Sequence, residues 1–365
     1  MIRRRPEAVE IGVTRTAWAR ETRRPLAGIS RRVSASETPL RIVLHMPFGA
    51  DALAKLATGR GCDVVRPGVA AGVAREAENA DALWISPAVY DAKLVETAER
   101  HPRVRWIQLA SMGYDAVEDA GAPRGVVVSN AGNADAPMVA EHALALALAL
   151  FRQIPAALEH QHAKQWTRKA NLTAMRSLYR STVGIYGFGH IGREIAARFA
   201  ACGATIVAIA PDAKVGGDVA KAFPATKLHE ALRPCDVVVL AAPLTAETKG
   251  AFNAAAFAAM KRDAIVVNIA RGPIIDEPAL VAALEAGTLG GAALDVTEPE
   301  PPAANDPIWT TKNVLLTAHV AAFSHGTLDD RLAEVIAQNV DAFVAGDEIP
   351  TAVPLSNLKR ARRAS

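Results

Sequence analysis

The stretch VGIYGFGHIGREIAARFAACGATIVAIAPD, residues 183–212, constrains the fold of this chain more than any other segment. An apolar run leads into Gly187, Gly189 and Gly192, spaced as GxGxxG, and a helical pattern and a second apolar run follow. In such a unit the first glycine permits a tight turn, the second lets the backbone approach a pyrophosphate, and the third lets the helix pack on the strand. This context predicts a dinucleotide-binding site, with a glycine turn in some other α/β protein as the alternative.

A regular alternation of strand and helix patterns surrounds this unit. From Leu40 onward, RIVLH, CDVV and DALWI read as short buried strands, separated by helical stretches such as DAKLVETAERH. This alternation predicts a parallel sheet. A second series of strands is expected at residues 182–186, 205–210, 236–241, 264–269, 292–296 and 314–317. The predicted fold class is therefore α/β, and the helix expected at residues 324–345 should pack back on the first domain because no strand follows it.

The longest apolar run, residues 143–151, belongs to the predicted helix PMVAEHALALALALFRQI, which has a proline in its first turn. The run is shorter than the roughly 18 to 20 residues that a membrane span requires. We therefore expect no membrane partner and interpret the segment as a helix buried between domains.

Charge and cysteine content exclude two further classes. The chain has 41 basic and 38 acidic residues, a net charge of +3, so a nucleic-acid partner is not indicated. Cys62, Cys202 and Cys235 are far apart, which suits neither a disulfide framework nor a zinc site. We expect reduced, buried thiols in a cytoplasmic protein and no metal.

The first 39 residues are rich in arginine and lack both periodicity and the apolar core of a secretory signal. They are predicted to be a disordered extension. A mitochondrial presequence is the alternative, but such segments avoid acidic residues. The acidic residues here are Glu7, Glu10, Glu21 and Glu37.

Three later segments carry polar side chains at the expected carboxyl ends of strands, where doubly wound folds bind ligands. VVNIARGPIID contains Arg271, AALDVTEPEP contains Asp295, Glu298 and Glu300, and VLLTAHVAAFS contains His319. Each residue alone has a structural explanation: a helix-start ion pair, a solvated loop carboxylate or a core histidine. Together with the glycine turn, the arginine, a glutamate and the histidine suggest an anion clamp, an orienting carboxylate and an acid/base group.

Four segments resemble the D-isomer-specific 2-hydroxyacid dehydrogenases, which include glyoxylate/hydroxypyruvate reductases and phosphoglycerate dehydrogenases. They are GIYGFGHIGREIA, LAAPLTAETKG, VVNIARGPIIDEPALVAALEAGTLGGAALDVTEPEP and NVLLTAHV, in the family's order and spacing. The resemblance covers roughly residues 40–350. It implies two doubly wound parallel-sheet domains, with a Rossmann cofactor domain, residues 137–319, inserted into a flavodoxin-like substrate domain, residues 40–136 plus 320–352. It also implies a homodimer.

The same resemblance implies roles for individual residues. Arg271 would hold the substrate carboxylate, Glu300 would be the catalytic glutamate and His319 the acid/base histidine. The backbone N–H groups of Met112 and Gly113, in the loop ASMGYD, would hold the other side of the substrate carboxylate, whereas Glu298 matches no catalytic position. The residues expected to bind the cofactor are Gly187, Gly189, His190, Ile191, Gly192, Ala210, Ile269, Arg271, Asp295 and His319. Among these, Asp295 matches the aspartate that accepts a hydrogen bond from the nicotinamide amide.

The choice between NAD and NADP depends on the end of the second strand of the Rossmann unit. An Asp or Glu there hydrogen-bonds the adenosine ribose and repels a 2′-phosphate. By resemblance, counting from Gly203, that position is Ala210, which can do neither. Lys214 lies close enough in sequence to attract a phosphate, whereas Asp212 would restore NAD selectivity if the turn at Pro211 brought it to the ribose. We expect NADPH to be used at least as well as NADH.

The leading function is NAD(P)H-dependent reduction of a small 2-keto acid, such as glyoxylate or hydroxypyruvate, to the D-2-hydroxy acid. Phosphoglycerate oxidation is an alternative, but WISPAV, residues 84–89, has no arginine where a phosphate site is expected. Formate dehydrogenases carry glutamine at the position of Glu300, which argues against formate oxidation. A non-enzymatic dinucleotide sensor that recruits partner proteins is the alternative from another class.

Overall fold

The computed structural model describes residues 39–168, 174–324 and 326–354, which form two parallel sheets covered by helices. The extension predicted for residues 1–39 lies almost wholly outside the described residues. The predicted fold class, α/β with two doubly wound parallel sheets, is confirmed.

The first sheet has the strand order β2-β1-β3-β4-β5, which is the order of flavodoxin-like folds. Its strands are β1 (Arg41–His45), β2 (Asp63–Val65), β3 (Ala82–Ile85), β4 (Trp106–Leu109) and β5 (Val127–Ser129). The helices between them are α1 (Ala50–Thr58), α2 (Ala70–Glu76), α3 (Ala92–Arg100) and α4 (Asp115–Ala120). Every residue of β3 and β4 is buried, because a parallel sheet with helices on both faces has no solvated side.

Two helices follow the first sheet, α5 (Ala136–Phe151) and α6 (Ile154–His162). The sequence predicted one helix over residues 137–154, and the structure confirms it as far as Phe151 but ends it before Gln153, whose φ of 56° is left-handed. The interpretation of this helix as one buried between domains stays a prediction. Helix α5 packs into the core of the second domain, where Leu146 and Phe151 lie in the same cluster as Phe199.

The second sheet has the order β12-β11-β10-β9-β6-β7-β8, with all pairs parallel. Its strands are β6 (Thr182–Tyr186), β7 (Thr205–Ile209), β8 (Val219–Phe223), β9 (Val237–Leu240), β10 (Ile265–Asn268), β11 (Gly291–Leu294) and β12 (Val314–Leu316). Its helices are α7 (His190–Ala201), α8 (Leu228–Leu232), α9 (Ala254–Ala259) and α10 (Glu277–Glu285). The strand order reverses between β6 and β9, and the glycine turn follows β6 at this switch point, where doubly wound folds bind ligands.

The last described helix, α11 (Thr327–Ala345), packs back on the first sheet, as the sequence predicted. Leu332, Ile336 and Val340 lie in one buried cluster with Trp84 and Trp106. No helix among the described residues is long and apolar enough to cross a bilayer.

Candidate active site

The glycine turn has the shape of a phosphate cradle. Gly187 has a φ of 96°, and a Cβ there would overlap with the backbone of Ala242. A Cβ on Gly192 would overlap with the carbonyl oxygen of Gly187, so helix α7 packs directly on the turn. Gly189 behaves differently, since a Cβ there would meet no atom within 4 Å. Gly189 thus faces open space at the N-terminus of α7, where no side chain caps the helix. The backbone N–H groups of this helix end could bind the pyrophosphate of a dinucleotide.

The neighbouring residues that the sequence associated with the cofactor lie in different environments. His190 is exposed, whereas Ile191 and Ile269 are largely buried in the apolar core. Ala210 directly follows β7, is 7% exposed, and its N–H donates to the carbonyl oxygen of Phe223 at 3.1 Å. Asp212 is exposed in the turn that follows.

His319 and Glu300 form a hydrogen-bonded pair. The distance from His319 Nδ1 to Glu300 Oε1 is 2.6 Å, and both side chains are about half exposed. Because Nδ1 is engaged by the carboxylate, Nε2 is the imidazole nitrogen available to a ligand. The two residues come from separate loops, after β11 and after β12, so the pairing depends on the parallel arrangement of these strands.

Asp295 fixes the loop that carries His319. Its carboxylate accepts hydrogen bonds from Thr317 Oγ1 at 2.6 Å and from the N–H groups of Val320 and Ala321 at 3.0 Å. His142 Nε2, on α5, lies 3.4 Å from the same carboxylate. Burial by itself would raise the pKa of Asp295, but these donors lower the pKa well below its usual range. Asp295 is therefore an ionised anchor for residues 317–321, and its expected contact with the nicotinamide amide stays a prediction.

Arg271 is held by a partner that sequence reasoning missed. Its Nη2 and Nε lie 2.8 Å and 3.2 Å from Oδ2 of Asp115, the first residue of α4, and its Nη1 donates to the carbonyl oxygen of Ala270. Burial raises the pKa of Asp115, but the hydrogen bond and charge of Arg271 lower it to below the ordinary value. Asp115 is the last residue of the loop ASMGYD, but a contact across 156 residues leaves no local signal of its pairing with Arg271.

The loop before α4 lies against this arginine. A Cβ on Gly113 would overlap with Nη2 of Arg271, so the guanidinium rests on the backbone of the loop. Gly113 lines the cavity, whereas Met112 is partly buried against the core around α5.

One cavity of about 470 Å³ collects residues from both sheets. Of the predicted site residues, it brings together Gly113, Arg271, Glu300 and His319. Its remaining lining residues are Pro87, Ser111, Asp115, Ala116, Leu244, Gly272, Pro273, Thr297 and Glu298. The ionisable lining groups are thus one arginine, one histidine and three carboxylates, and two of these carboxylates are the hydrogen-bond partners of the arginine and the histidine.

Comparison with known proteins explains this arrangement. Residues 144–321 match the family model for the NAD-binding domain of D-isomer-specific 2-hydroxyacid dehydrogenases. A glyoxylate reductase from Thermococcus kodakarensis is 34% identical over 264 residues, covering 71% of this chain and 79% of the reductase. The chain belongs to the D-isomer-specific 2-hydroxyacid dehydrogenase family. It is therefore an oxidoreductase that transfers a hydride between a nicotinamide cofactor and a 2-hydroxy acid or its 2-keto acid.

Two other members of this family show how far the similarity reaches. A D-3-phosphoglycerate dehydrogenase from Mycobacterium tuberculosis is 36% identical over 276 residues, 75% of this chain, but the match spans only 51% of that dehydrogenase. The structure of an NADPH-dependent glyoxylate/hydroxypyruvate reductase from Sinorhizobium meliloti, in complex with NADP and sulfate, superposes with a TM-score of 0.73 at 25% identity. That match covers 87% of this dehydrogenase and 99% of the reductase.

Proposed function

We propose that this dehydrogenase reduces a small 2-keto acid with one negative charge, of the glyoxylate or hydroxypyruvate type, to the D-2-hydroxy acid. The observation that carries the proposal is the single cavity lined by Arg271, Gly113 and the pair of His319 and Glu300. These groups provide one site for a carboxylate and one proton donor within reach of the same small molecule.

The chain's own residues bind, orient and protonate the substrate. Arg271 donates hydrogen bonds to the substrate carboxylate, and this contact fixes the C2 carbonyl next to Nε2 of His319. His319 donates its proton to the C2 oxygen as negative charge develops there, and Glu300 stabilises the charged imidazolium and keeps the ring in place. The cradle around Gly189 fits a dinucleotide, whose reduced nicotinamide supplies the hydride when it is bound.

The charge of the cavity favours this substrate class over a phosphorylated one. Asp115 and Glu300 are the partners of Arg271 and His319, and Glu298 adds a further carboxylate to the lining. A phosphate on the substrate would need a further cation, because it would otherwise lie near carboxylates. The segment after β3 provides Pro87 to the lining and no arginine.

Domain organisation, assembly and compartment are part of the proposal. Residues 40–136 plus 320–352 would form the substrate domain, and residues 137–319 the inserted cofactor domain. We also propose a cytoplasmic homodimer in which α6 contributes to the contact. Helix α6 has no buried residue, and Ile154 and Leu158 are 47% and 49% exposed.

A panel of 2-keto acids tests the substrate class. We expect purified protein to oxidise NADPH with glyoxylate or hydroxypyruvate. The value of kcat/KM for 3-phosphohydroxypyruvate and for 2-oxoglutarate should be at least about tenfold lower, because about 1.4 kcal/mol of repulsion between their extra negative charge and the cavity carboxylates corresponds to that ratio. Phosphohydroxypyruvate as the best substrate, or no reduction of any 2-keto acid, would contradict the proposal.

The proposed cofactor is NADPH, used at least as well as NADH. Ala210 provides no carboxylate at the end of β7, so the usual barrier to a 2′-phosphate is missing at this position. We expect Ala210→Asp to shift the ratio of kcat/KM for the two cofactors toward NADH by about 1 to 3 kcal/mol, the value of one charged hydrogen bond.

The companion variant Asp212→Ala tests whether Asp212, rather than residue 210, hydrogen-bonds the adenosine ribose. We expect this variant to leave the cofactor ratio unchanged. A wild type that strongly prefers NADH, and that loses this preference in Asp212→Ala, would show that Asp212 restores NAD selectivity.

A further inference from the structure

A buried polar network connects the core of the first domain to the loop that lies against Arg271. Gln108, Ser129 and Asn339 are 0% exposed. Gln108 Oε1 accepts hydrogen bonds from Ser129 Oγ and from Asn339 Nδ2, both at 2.7 Å. Ser129 in turn accepts from Nε1 of Trp106 at 2.8 Å. Buried polar groups that bond to one another in this way hold the participating strands and helix in one arrangement.

The network converges on the backbone of Asn130. Its carbonyl oxygen accepts from Gln108 Nε2 at 2.8 Å and from Thr351 Oγ1 at 2.7 Å, and its N–H donates to the carbonyl oxygen of Thr351 at 3.1 Å. Thr351 Oγ1 also accepts from Asn339 Nδ2 at 2.7 Å. Asn130 is thus fixed from two sides, by Gln108 of β4 and by Thr351 of the segment that follows α11, and Asn339 of α11 holds Thr351 in turn.

The side chain of Asn130 reaches from this fixed point to residues 110–115, the loop ASMGYD, which we call the substrate loop. Its Oδ1 accepts from the N–H of Gly132 at 2.9 Å, and its Nδ2 donates to the carbonyl oxygen of Met112 at 2.8 Å. Ser111 Oγ donates to the next carbonyl oxygen, that of Gly113, at 2.7 Å. The carbonyl groups of Met112 and Gly113 are therefore held in defined directions.

Fixing the carbonyl oxygen of Met112 also sets the direction of the next N–H group. In a trans peptide the C=O and the following N–H point in opposite directions, so the N–H of Gly113 points away from Asn130. Within the described residues this N–H has no protein acceptor. Gly113 lines the cavity, and its Cα lies against Nη2 of Arg271.

We propose that Asn130 is a positioning residue for substrate: it orients the Met112–Gly113 peptide so that the N–H of Gly113 and the guanidinium of Arg271 converge on one carboxylate. The proposal rests on the proposed function, because it assigns Asn130 to the carboxylate end of that same site. Loss of the Asn130 amide frees this peptide to rotate, and the substrate carboxylate then loses one of its donors.

The test uses Asn130→Asp and Asn130→Ala, assayed with oxamate, a non-reducible isostere of a 2-keto acid. We expect the Kd of oxamate for the NADPH-loaded protein and the KM for hydroxypyruvate each to rise about tenfold, because the ligand carboxylate loses one hydrogen bond. The Kd of NADPH should stay near its wild-type value, because the glycine cradle is untouched. A purely structural role for Asn130 would lower the thermal midpoint while leaving the oxamate Kd of the folded protein unchanged.

Asn253→Asp is the matched control. Asn253 precedes α9, accepts from the N–H of Ala255 and donates through Nδ2 to the carbonyl oxygen of Gly250, which is the same bonding pattern away from the cavity. We expect this variant to leave the oxamate Kd unchanged. Thr351→Val is the alternative if the Asn130 variants do not fold, because it removes the hydroxyl that donates to the carbonyl oxygen of Asn130. The oxamate Kd should then rise about threefold, since oxamate would lose part of one hydrogen bond.

Two outcomes overturn the proposal in distinguishable ways. An unchanged oxamate Kd in the folded Asn130 variants, or in Thr351→Val, with an active wild type, would refute the role of Asn130 alone. A wild-type protein that neither binds oxamate nor reduces any 2-keto acid would refute the proposed function and this role with it.

Discussion

His319 lies in the left-handed region of backbone space, with a φ of 51°, and this conformation has an identifiable support. A side-chain-bearing residue held there costs about 1 to 3 kcal/mol. The N–H of His319 donates to the carbonyl oxygen of Asp295 at 2.8 Å, and the Asp295 carboxylate binds the next two N–H groups. The bonds to Asp295 therefore offset the strain and hold the imidazole toward Glu300 before substrate arrives.

Gly113→Ala tests the close approach of the substrate loop to Arg271. A Cβ at this position would overlap with Nη2, so the guanidinium must move away from the loop and its contact with Asp115 must weaken. We expect a rise in KM for the 2-keto acid and a fall in kcat, together about 10² in kcat/KM, as for a misplacement of about 1 Å.

Gly68→Ala is the control for this substitution. A Cβ on Gly68 would meet no atom within 4 Å, so steady-state kinetics should be those of the wild type. A KM for the 2-keto acid that stays at the wild-type value in Gly113→Ala would mean that binding of the 2-keto acid does not depend on the position of Arg271 beside the loop.

At the scale of elements, the start of α5 carries a carboxyl group in an unfavourable place. Asp135 makes no side-chain capping hydrogen bond, and its Oδ1 is buried without a partner among the described residues. Burial raises the pKa of Asp135 from 3.8 to about 6. Between these values the folded protein keeps this proton and the unfolded chain releases it, so stability falls as pH rises from about 4 to about 6.

Asp135→Asn removes this titration. We expect the variant to be more stable than wild type by up to about 3 kcal/mol at pH 7.5, and nearly equal to it at pH 4, where Asp135 is protonated in the folded protein and only about half ionised in the unfolded chain. Urea unfolding at the two pH values measures the difference.

Asp91→Asn is the control, because Asp91 caps α3 by accepting from the N–H of Leu94 at 2.7 Å. It should gain no stability at pH 7.5, since asparagine and aspartate are comparable caps. An Asp135→Asn effect of equal size at pH 4 and pH 7.5 would show that its charge is not the cause.

The sequence predicts an element correctly where that element has a local pattern, such as an apolar run or a glycine spacing. Strand β6 and its glycine turn were predicted correctly, because apolar runs and glycine spacing are local features. Strand β8 was missed, because its middle residues are exposed at the edge of the sheet and give no apolar run. The break at Gln153 was missed because no glycine marks it.

The same reasoning separates the site residues that the sequence reveals from those it hides. Arg271, Glu300 and His319 lie in short motifs that directly follow apolar strand patterns, so the sequence reveals them, and the structure brings them into one cavity. Asp115 and His142 were missed, because Arg271 lies 156 residues from the first and Thr317, which His142 Nε2 contacts at 3.0 Å, lies 175 residues from the second. Such contacts follow from how strands are ordered in the sheets, which short-range patterns do not encode.

At the scale of the whole molecule, the cavity exists only because two sheets meet. Gly113 and Asp115 follow β4 of the first sheet, whereas Arg271, Glu300 and His319 follow strands of the second. The ion pair of Arg271 and Asp115 therefore crosses the cleft, so the shape of the cavity depends on how the two sheets are placed.

The proposed homodimer is tested by Leu158→Asp. Leu158 lies on α6, is 49% exposed and would be buried in the dimer contact, where an unpaired carboxylate is costly. We expect the variant to sediment as a monomer at concentrations where the wild type is a dimer. Val344→Asp, on the equally exposed face of α11, should leave the wild-type mass unchanged. Equal masses for wild type and Leu158→Asp would contradict a contact through α6.

The central claim, that His319 protonates a 2-keto acid held in this cavity, is tested most directly by kcat for NADPH-dependent reduction of hydroxypyruvate in wild type and His319→Ala. Loss of a general acid lowers the rate by about 10² to 10⁴-fold, and the Kd of NADPH should hardly change, because the glycine cradle binds the other end of the cofactor. We predict that the wild type forms D-glycerate and that the variant is slower by this factor. More than half of the wild-type kcat retained in His319→Ala would contradict the account.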